Sequence, residues 1–154
     1  MTRCFRIFTQ LNPKDYLFHD AIVAPVVQVE MVKGEAFDHE GAVQRLRFKD
    51  GAVIEEEILR FIRNQQLVYR GVGFTQPLVK WASHVQASFE FTKKGEETEI
   101  TWRYNFFLKQ SPLNVIRKPV FKKVVVGFVW SRMMRGTLGN LVQIMTLRNK
   151  AKTT

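Results

Sequence analysis

Few side chains in this chain have both the type and the surroundings that chemistry needs. Glu56 lies in Val53–Phe61, where Ile54, Glu56 and Ile58 share one face of a strand and Glu55 and Glu57 the other. A single carboxyl among apolar neighbours on an inner face is a candidate general acid or base, its pKa raised by that setting. Pairing with Arg45, Arg135 or a tyrosine hydroxyl is the structural alternative. His84 is the one histidine in a strand-like segment, a candidate to act on a ligand carbonyl together with Tyr104 or Glu56. His19 and His39 fall in a short helix and a loop. Three scattered histidines and one cysteine, Cys4, give no metal-ligand spacing, so no metal is expected. No cofactor is expected either: Gly71-x-Gly73 lacks the rest of a phosphate loop, and no Gly-x-Ser-x-Gly elbow occurs.

These groups need walls. Ile100, Trp102, Tyr104 and Phe106 align on one face of the last strand, and Tyr69 shares a face with Leu67. Opposite them stands the C-terminal run Ser111–Lys152. Apolar residues recur there at Val120, Val124, Phe128, Met134, Leu138, Leu141/Val142 and Met145, with Ser131 the polar exception. Steps of three and four make one stripe of a helix. From Val120 to Lys150 it would run roughly 46 Å at about 1.5 Å per residue, long enough to need a sheet to cover it. Arg135 and Ser131, near the stripe, are candidates to meet a ligand carboxylate or hydroxyl.

Before the helix the chain reads as strands. Phe5–Leu11 is expected to be the first, followed by a short helix from Pro13 to about Ile22, with Asn12 at its N-cap and Ala24-Pro25 stopping it. Val26–Val32, Ala42–Phe48, Val53–Phe61, Leu67–Val72, Trp81–Thr92 and Glu97–Leu108 follow, with turns at Asp50-Gly51, Asn64-Gln65, Gln76-Pro77 and Lys93–Glu96. Ser111-Pro112 opens the helical region, and Pro119 is expected to break or kink it. The pattern is α+β: a curved antiparallel sheet of about six or seven strands around a long C-terminal helix.

At 154 residues this is expected to be one domain, residues 1–154, with a sizeable core; 45% hydrophobic and 25% charged residues suit a soluble globular protein. Met1-Thr-Arg-Cys-Phe-Arg-Ile lacks a secretory core, and the most apolar run, Val124–Trp130, falls far short of the ~20 residues that cross a bilayer. A cytoplasmic setting is expected, where one cysteine forms no intrachain disulfide. Charge is uneven. Residues 1–100 hold 13 Lys or Arg and all 14 acids; residues 101–154 hold eleven Lys or Arg and no acid, so the whole surplus of +10 lies there. Such a surface draws anions. Lys118, Lys122, Lys123 and Arg132, beside Val126, Val129, Trp130 and Met133, suit peripheral contact with an anionic membrane. They lack a named nucleic-acid motif, which argues against DNA or RNA.

The run Gly41-Ala-Val-Gln-Arg-Leu-Arg-Phe-Lys-Asp-Gly51, then Val53-Ile-Glu-Glu56, Leu67-Val-Tyr69 and Thr98-Glu-Ile-Thr-Trp102 resembles the SRPBCC proteins. This is the START-related, helix-grip superfamily, which includes polyketide cyclase/dehydrase-like proteins, pollen-allergen-like plant proteins and lipid-transfer domains. The resemblance covers roughly residues 26–145. It implies a seven-stranded sheet curled around the C-terminal helix and enclosing a cavity for a hydrophobic ligand, lipid-, quinone- or polyketide-like. It places Glu56, Tyr69 and Trp102 at family positions. Two departures stand out: Gln44 where the family often has Arg, and a short region before Val26, expected to hold one small helix where many members have two. The ligand-contacting set expected is Glu56, Tyr69, His84, Trp102, Tyr104, Phe106, Phe128, Ser131, Arg135 and Leu138. Two other functions compete with binding: a cyclase, aromatase or dehydrase using Glu56, His84 and Tyr104 for proton transfer, and a basic adaptor at anionic membranes.

Overall fold

Alternation along the strands decides the sheet. In the computed structural model, which describes residues 3–75, 79 and 81–150, six strands lie antiparallel in sequence order. They are β1 (Val26–Lys33), β2 (Val43–Phe48), β3 (Val53–Ile62), β4 (Gln66–Val72), β5 (Ala82–Lys94) and β6 (Glu97–Leu108). Leu46, Ile54, Ile58, Leu67, Tyr69, Val85, Ala87, Phe89 and Phe91 point to the concave face and are buried. Gly51 (φ 83°) and Gly95 (φ 61°) turn two of the three short hairpins in the left-handed conformation that glycine adopts without strain, and Asn64 (φ 68°) turns the third. Register shifts at Val26/Gln28, Met31/Lys33, Ile58/Arg60 and Ala82/His84 bend the strands and give the sheet its curl. The convex face carries cross-strand ion pairs: Arg45 to Glu30 (2.7 Å) and Glu55 (2.6 Å), Arg70 to Glu57 (2.7 Å), Lys94 to Glu99 (2.6 Å), and Arg103 to Glu90. The Gln76-Pro77 turn lies outside the described residues.

The N-terminal segment is not a strand. Arg3–Thr9 forms helix α1, because Phe5 and Phe8, three apart, fall on one helical face and both find partners at the end of the sheet. Phe5 packs on Phe61 (5.4 Å between ring centroids) and Phe91 (5.1 Å), and Phe8 on Phe89 (4.5 Å). Seven residues cannot hold a helix alone. Tertiary packing holds this one, so two helices rather than one precede Val26, and the sheet has six strands among the described residues where the resemblance implied seven.

Helix α2 (Pro13–Tyr16) starts as expected, with the Asn12 side chain accepting from Lys14 N (3.1 Å), but it ends six residues early. The chain turns off because polar groups of the C-terminal helix take its backbone. Thr137 Oγ1 accepts from Phe18 N (3.0 Å), and Asn140 Nδ2 donates to the Tyr16 carbonyl (3.1 Å). Asp20 Oδ1 accepts from Ile22 N (2.8 Å) and Val23 N (2.9 Å), and its other oxygen pairs with Arg132 (2.8 Å).

The C-terminal rod is α3 (Asn114–Val120), a π-helical segment (Phe121–Trp130) and α4 (Ser131–Lys150). Pro119 does not break it. Proline removes one amide donor from the ladder, and two residues later the chain continues in wider turns. Ser131 N–H donates to the Val126 carbonyl, and Ser131 Oγ donates to the same oxygen (2.8 Å), five residues back rather than four. This widening changes which side faces the sheet. The buried or half-buried row is Phe121, Val125, Trp130, Met133, Thr137, Leu141 and Met145, with a five-residue step at the π segment. Val120, Val124 and Phe128, read as inward from periodicity, are exposed. Fully burying each large apolar member of the inward row contributes roughly 1.5–3 kcal/mol, so this face fixes the helix against the sheet.

The docking of residues 17–25 onto α4 depends on Gly136. A Cβ there would lie 2.3 Å from the Phe18 ring. Gly136→Ala is therefore expected to lower stability by about 1–3 kcal/mol through overpacking, despite alanine's better helix propensity. Denaturant melts of the two proteins check this; an unchanged or raised midpoint would show that Phe18 is not held against α4.

Candidate functional site

Cross-strand neighbours supply the polar centre. Gln44 on β2 lies opposite Glu56 on β3, and its Nε2 donates to Glu56 Oε2 (2.8 Å). Gln44 is buried. The pleat sends Glu55 and Glu57 to the ion pairs of the convex face and Glu56 inward. Arg45, considered as its partner, lies on the convex face with Glu30 and Glu55, and Arg135 is exposed.

Two cavities flank this carboxyl, of about 150 Å³ and about 50 Å³. Leu17, Glu56, Tyr69 and Trp102 wall both. The larger is closed by β-strand residues such as Leu46 and Ile54, by Val125, Val129, Trp130 and Met133 of the rod, and by the connection Leu17–Ala24. The smaller is lined by Gln44 and Tyr16. No Lys or Arg lines either, among the described residues.

Burial pushes the Glu56 carboxyl from 4.5 up to about 7, with the Gln44 hydrogen bond opposing the shift. The chain's three tyrosines gather around it. Burial raises the pKa of Tyr16, Tyr69 and Tyr104, and the neighbouring Glu56 charge adds to the rise in each. The Tyr69 and Tyr104 rings meet edge to face, 6.3 Å between centroids. All three therefore stay protonated at neutral pH, able to donate to a ligand oxygen. The indole N–H groups of Trp102 and Trp130 are buried without an acceptor among the described residues. Trp130 instead sets its edge against the rings of Tyr104 (5.0 Å) and Phe106 (4.9 Å).

Of the ten residues expected around a ligand, the structure places Glu56, Tyr69, Trp102 and Tyr104 on the larger cavity. The other six lie elsewhere. His84 points to the convex face, stacked on Phe107 (4.3 Å) and within 3.0 Å of Ser83 Oγ, so Glu56, His84 and Tyr104 do not converge. Odd-numbered β5 residues from Val85 to Phe91 face inward, and an even-numbered neighbour cannot. Phe106 packs with Phe121 (5.3 Å) in a neighbouring cluster. The π turn carries Phe128 and Arg135 to solvent, ties Ser131 back to the helix, and leaves Leu138 packed on the core away from the cavity. Sequence reading missed Trp130, Met133, Tyr16 and the Leu17–Ala24 connection as walls, and it read Gln44 only as a missing cation. The polar side chain at Gln44, inward by alternation and directly across from Glu56, was the available signal.

The family model for polyketide cyclase / dehydrase and lipid transport proteins matches residues 18–146. Among solved structures, the chain is similar to Ara h 8.0201 (17% identity, covering 91% of this chain and 88% of that one, TM-score 0.58). It is also similar to XoxI from Bacillus cereus (14% identity, 94% and 86%, TM-score 0.61). The di-domain ARO/CYC StfQ of the steffimycin biosynthetic pathway has a TM-score of 0.67 at 14% identity over 96% of this chain; the chain spans about half of StfQ (47%). Identities this low establish a shared fold. No curated protein sequence matches the chain.

The Glu56 carboxyl predicts a pH signature. Unfolded it releases its proton near 4.5 and folded near 7. Its raised pKa therefore supports stability below about 4.5, and that support is lost as pH rises through 7. Glu56→Gln should abolish a loss of about 3 kcal/mol between pH about 4 and 8. Denaturant midpoints of both proteins across that range decide it: parallel profiles would place the titration elsewhere.

Proposed function

Because the chain belongs to the polyketide cyclase / dehydrase and lipid transport family, we propose that it binds a small hydrophobic ligand between sheet and helix. The observation that carries this reading is the aromatic-walled cavity whose polar groups are Glu56, held by Gln44 from the adjoining smaller cavity, Tyr69, Tyr104 and Asp50, with no cation among the described residues. Few convergent polar groups in an apolar cleft is the usual form of a small-molecule site. With no Lys or Arg among the described lining residues and carboxyls there instead, a ligand carboxylate would be desolvated unpaired, so an anionic ligand is disfavoured. A carbonyl or hydroxyl oxygen would find donors in protonated Glu56 and the tyrosines, which fits a quinone- or polyketide-like molecule and the neutral end of a lipid. A cavity of about 150 Å³ takes one ring, as an apolar cavity of about that size takes benzene. A larger ligand enters by displacing the Leu17–Ala24 wall, which is held by Phe18 on Gly136 and by the Asp20–Arg132 pair.

One observation favours catalysis as a second reading. A carboxyl with a pKa of about 7 is poised for proton transfer at neutral pH. With His84 outside the cavity, that chemistry falls to Glu56, with Tyr69 and Tyr104 as hydrogen-bond donors to a carbonyl.

Native mass spectrometry of protein purified from its own host, with extraction of what co-purifies, identifies the ligand. Val129→Trp, which fills the cavity from the rod, should weaken its retention by about tenfold or more while the melting temperature moves by only a few degrees. Undiminished retention would sink the cavity as the site. Glu56→Gln then separates the readings: a carrier keeps its ligand unchanged, whereas a catalyst keeps binding and loses turnover.

A further inference from the structure

The π segment leaves an apolar row with nothing against it. Ile116 (68% exposed), Val120, Val124 and Phe128 (56%) recur every four residues on the side of the rod turned away from the sheet, with Leu113 and Val115 (84%) at its start. Lys123 stands beside this row, and Lys118 and Lys122 flank it along the groove between the rod and β6; all three are exposed and without an ion pair among the described residues. We infer that this face docks on an anionic lipid surface, with the aliphatic row in the acyl boundary and the lysines at the headgroups.

The charge distribution favours lipid over other occupants. Residues 101–154 contain no acid, while Glu30, Glu55, Glu57, Glu90 and Glu99 are paired on the convex face of the sheet. A second copy would bring the same positive face to this one, and like charges at contact repel. Nucleic acid would meet the lysines but gain nothing from Ile116, Val120 and Val124, since base stacking needs aromatic faces. An interfacial helix instead combines apolar residues with Lys along its polar flank. No helix among the described residues is long and apolar enough to cross a membrane, so the rod lies on the surface. Arg132 is withdrawn from the set of membrane-facing cations by its pairing with Asp20. The segment that turns Val124 and Phe128 outward also turns Val125, Val129 and Trp130 into the cavity wall. Docking does not depend on what the cavity holds.

The test uses the full chain and extruded vesicles of phosphatidylcholine, with or without about one-third phosphatidylserine, in co-sedimentation. Binding is expected only with phosphatidylserine, and it should fall as salt rises from about 0.1 M to 1 M, where the screening length drops from about 10 Å to 3 Å. Reversing two exposed lysines, Lys122→Glu with Lys123→Glu, should weaken binding by more than about twentyfold. Val124→Ser with Phe128→Ser should weaken it by about tenfold. Both variants change exposed residues, and circular dichroism and melting confirm that they fold. Three results would each overturn the inference: no binding to phosphatidylserine vesicles, binding unmoved by either double variant, or a dimer in solution that the Val124/Phe128 variant dissolves. Salt-sensitive DNA binding that survives the serine variant, without vesicle binding, would do the same.

Discussion

The helical rod can meet the curved sheet along only one row of side chains, and a five-residue step from Val125 to Trp130 selects that row. Much else follows from the selection. It brings Trp130 edge-on to Tyr104 and Phe106, closes the cavity with Val125 and Met133, and aligns Thr137 and Leu141, both fully buried, with the core below. It also turns Val120, Val124 and Phe128 to solvent. Regular α-geometry after Pro119 would move the aromatic wall and the exposed row together, because both are sides of one helix. A π segment is less favourable than α-helix, and such segments gather at functional sites. Here it lies along the cavity.

Glu56 is the second constraint. Burying a carboxylate is costly unless it is paired, and the usual result is a shift toward the neutral form. Gln44 determines how far that shift goes. A guanidinium in its place would hold the carboxyl charged; an amide gives one hydrogen bond and no charge, so burial dominates and the pKa settles at about 7. The cavity thus has a proton donor where a cation would have made an anion site. Tyr69 and Tyr104 line the same cavity beside that carboxyl.

Three consecutive glutamates illustrate how the pleat sorts charge. Glu55 and Glu57 join arginines on the convex face, where each exposed pair contributes about 0–1 kcal/mol, and Glu56 enters the cavity. The sheet neutralises its own acids in this way, and the cations of the rod keep their field. The asymmetry of the sequence therefore persists as an asymmetry of the surface.

The period-two pattern by itself determined the strands, their hairpin order and the inward faces of Glu56, Tyr69, Trp102 and Tyr104, because alternation in a strand has two outcomes and one buried face chooses between them. The charge imbalance was equally legible, since composition is independent of conformation. Other features were decided only by tertiary structure. Phe5, Ile7, Phe8 and Leu11 fit either a strand or a helix, and the aromatic end of the sheet made α1. Residues 120–130 are apolar on nearly every side, so periodicity offered several stripes and the π step chose the one through Phe121, Val125 and Trp130. The Asp20 turn is the one local device in the Leu17–Ala24 wall, and its position is set by Thr137, Asn140 and Gly136, more than a hundred residues away in the chain. Short-range periodicity fixes what repeats along one element, whereas the rotation of a helix and the path of a connection are set by distant partners competing for the same surface.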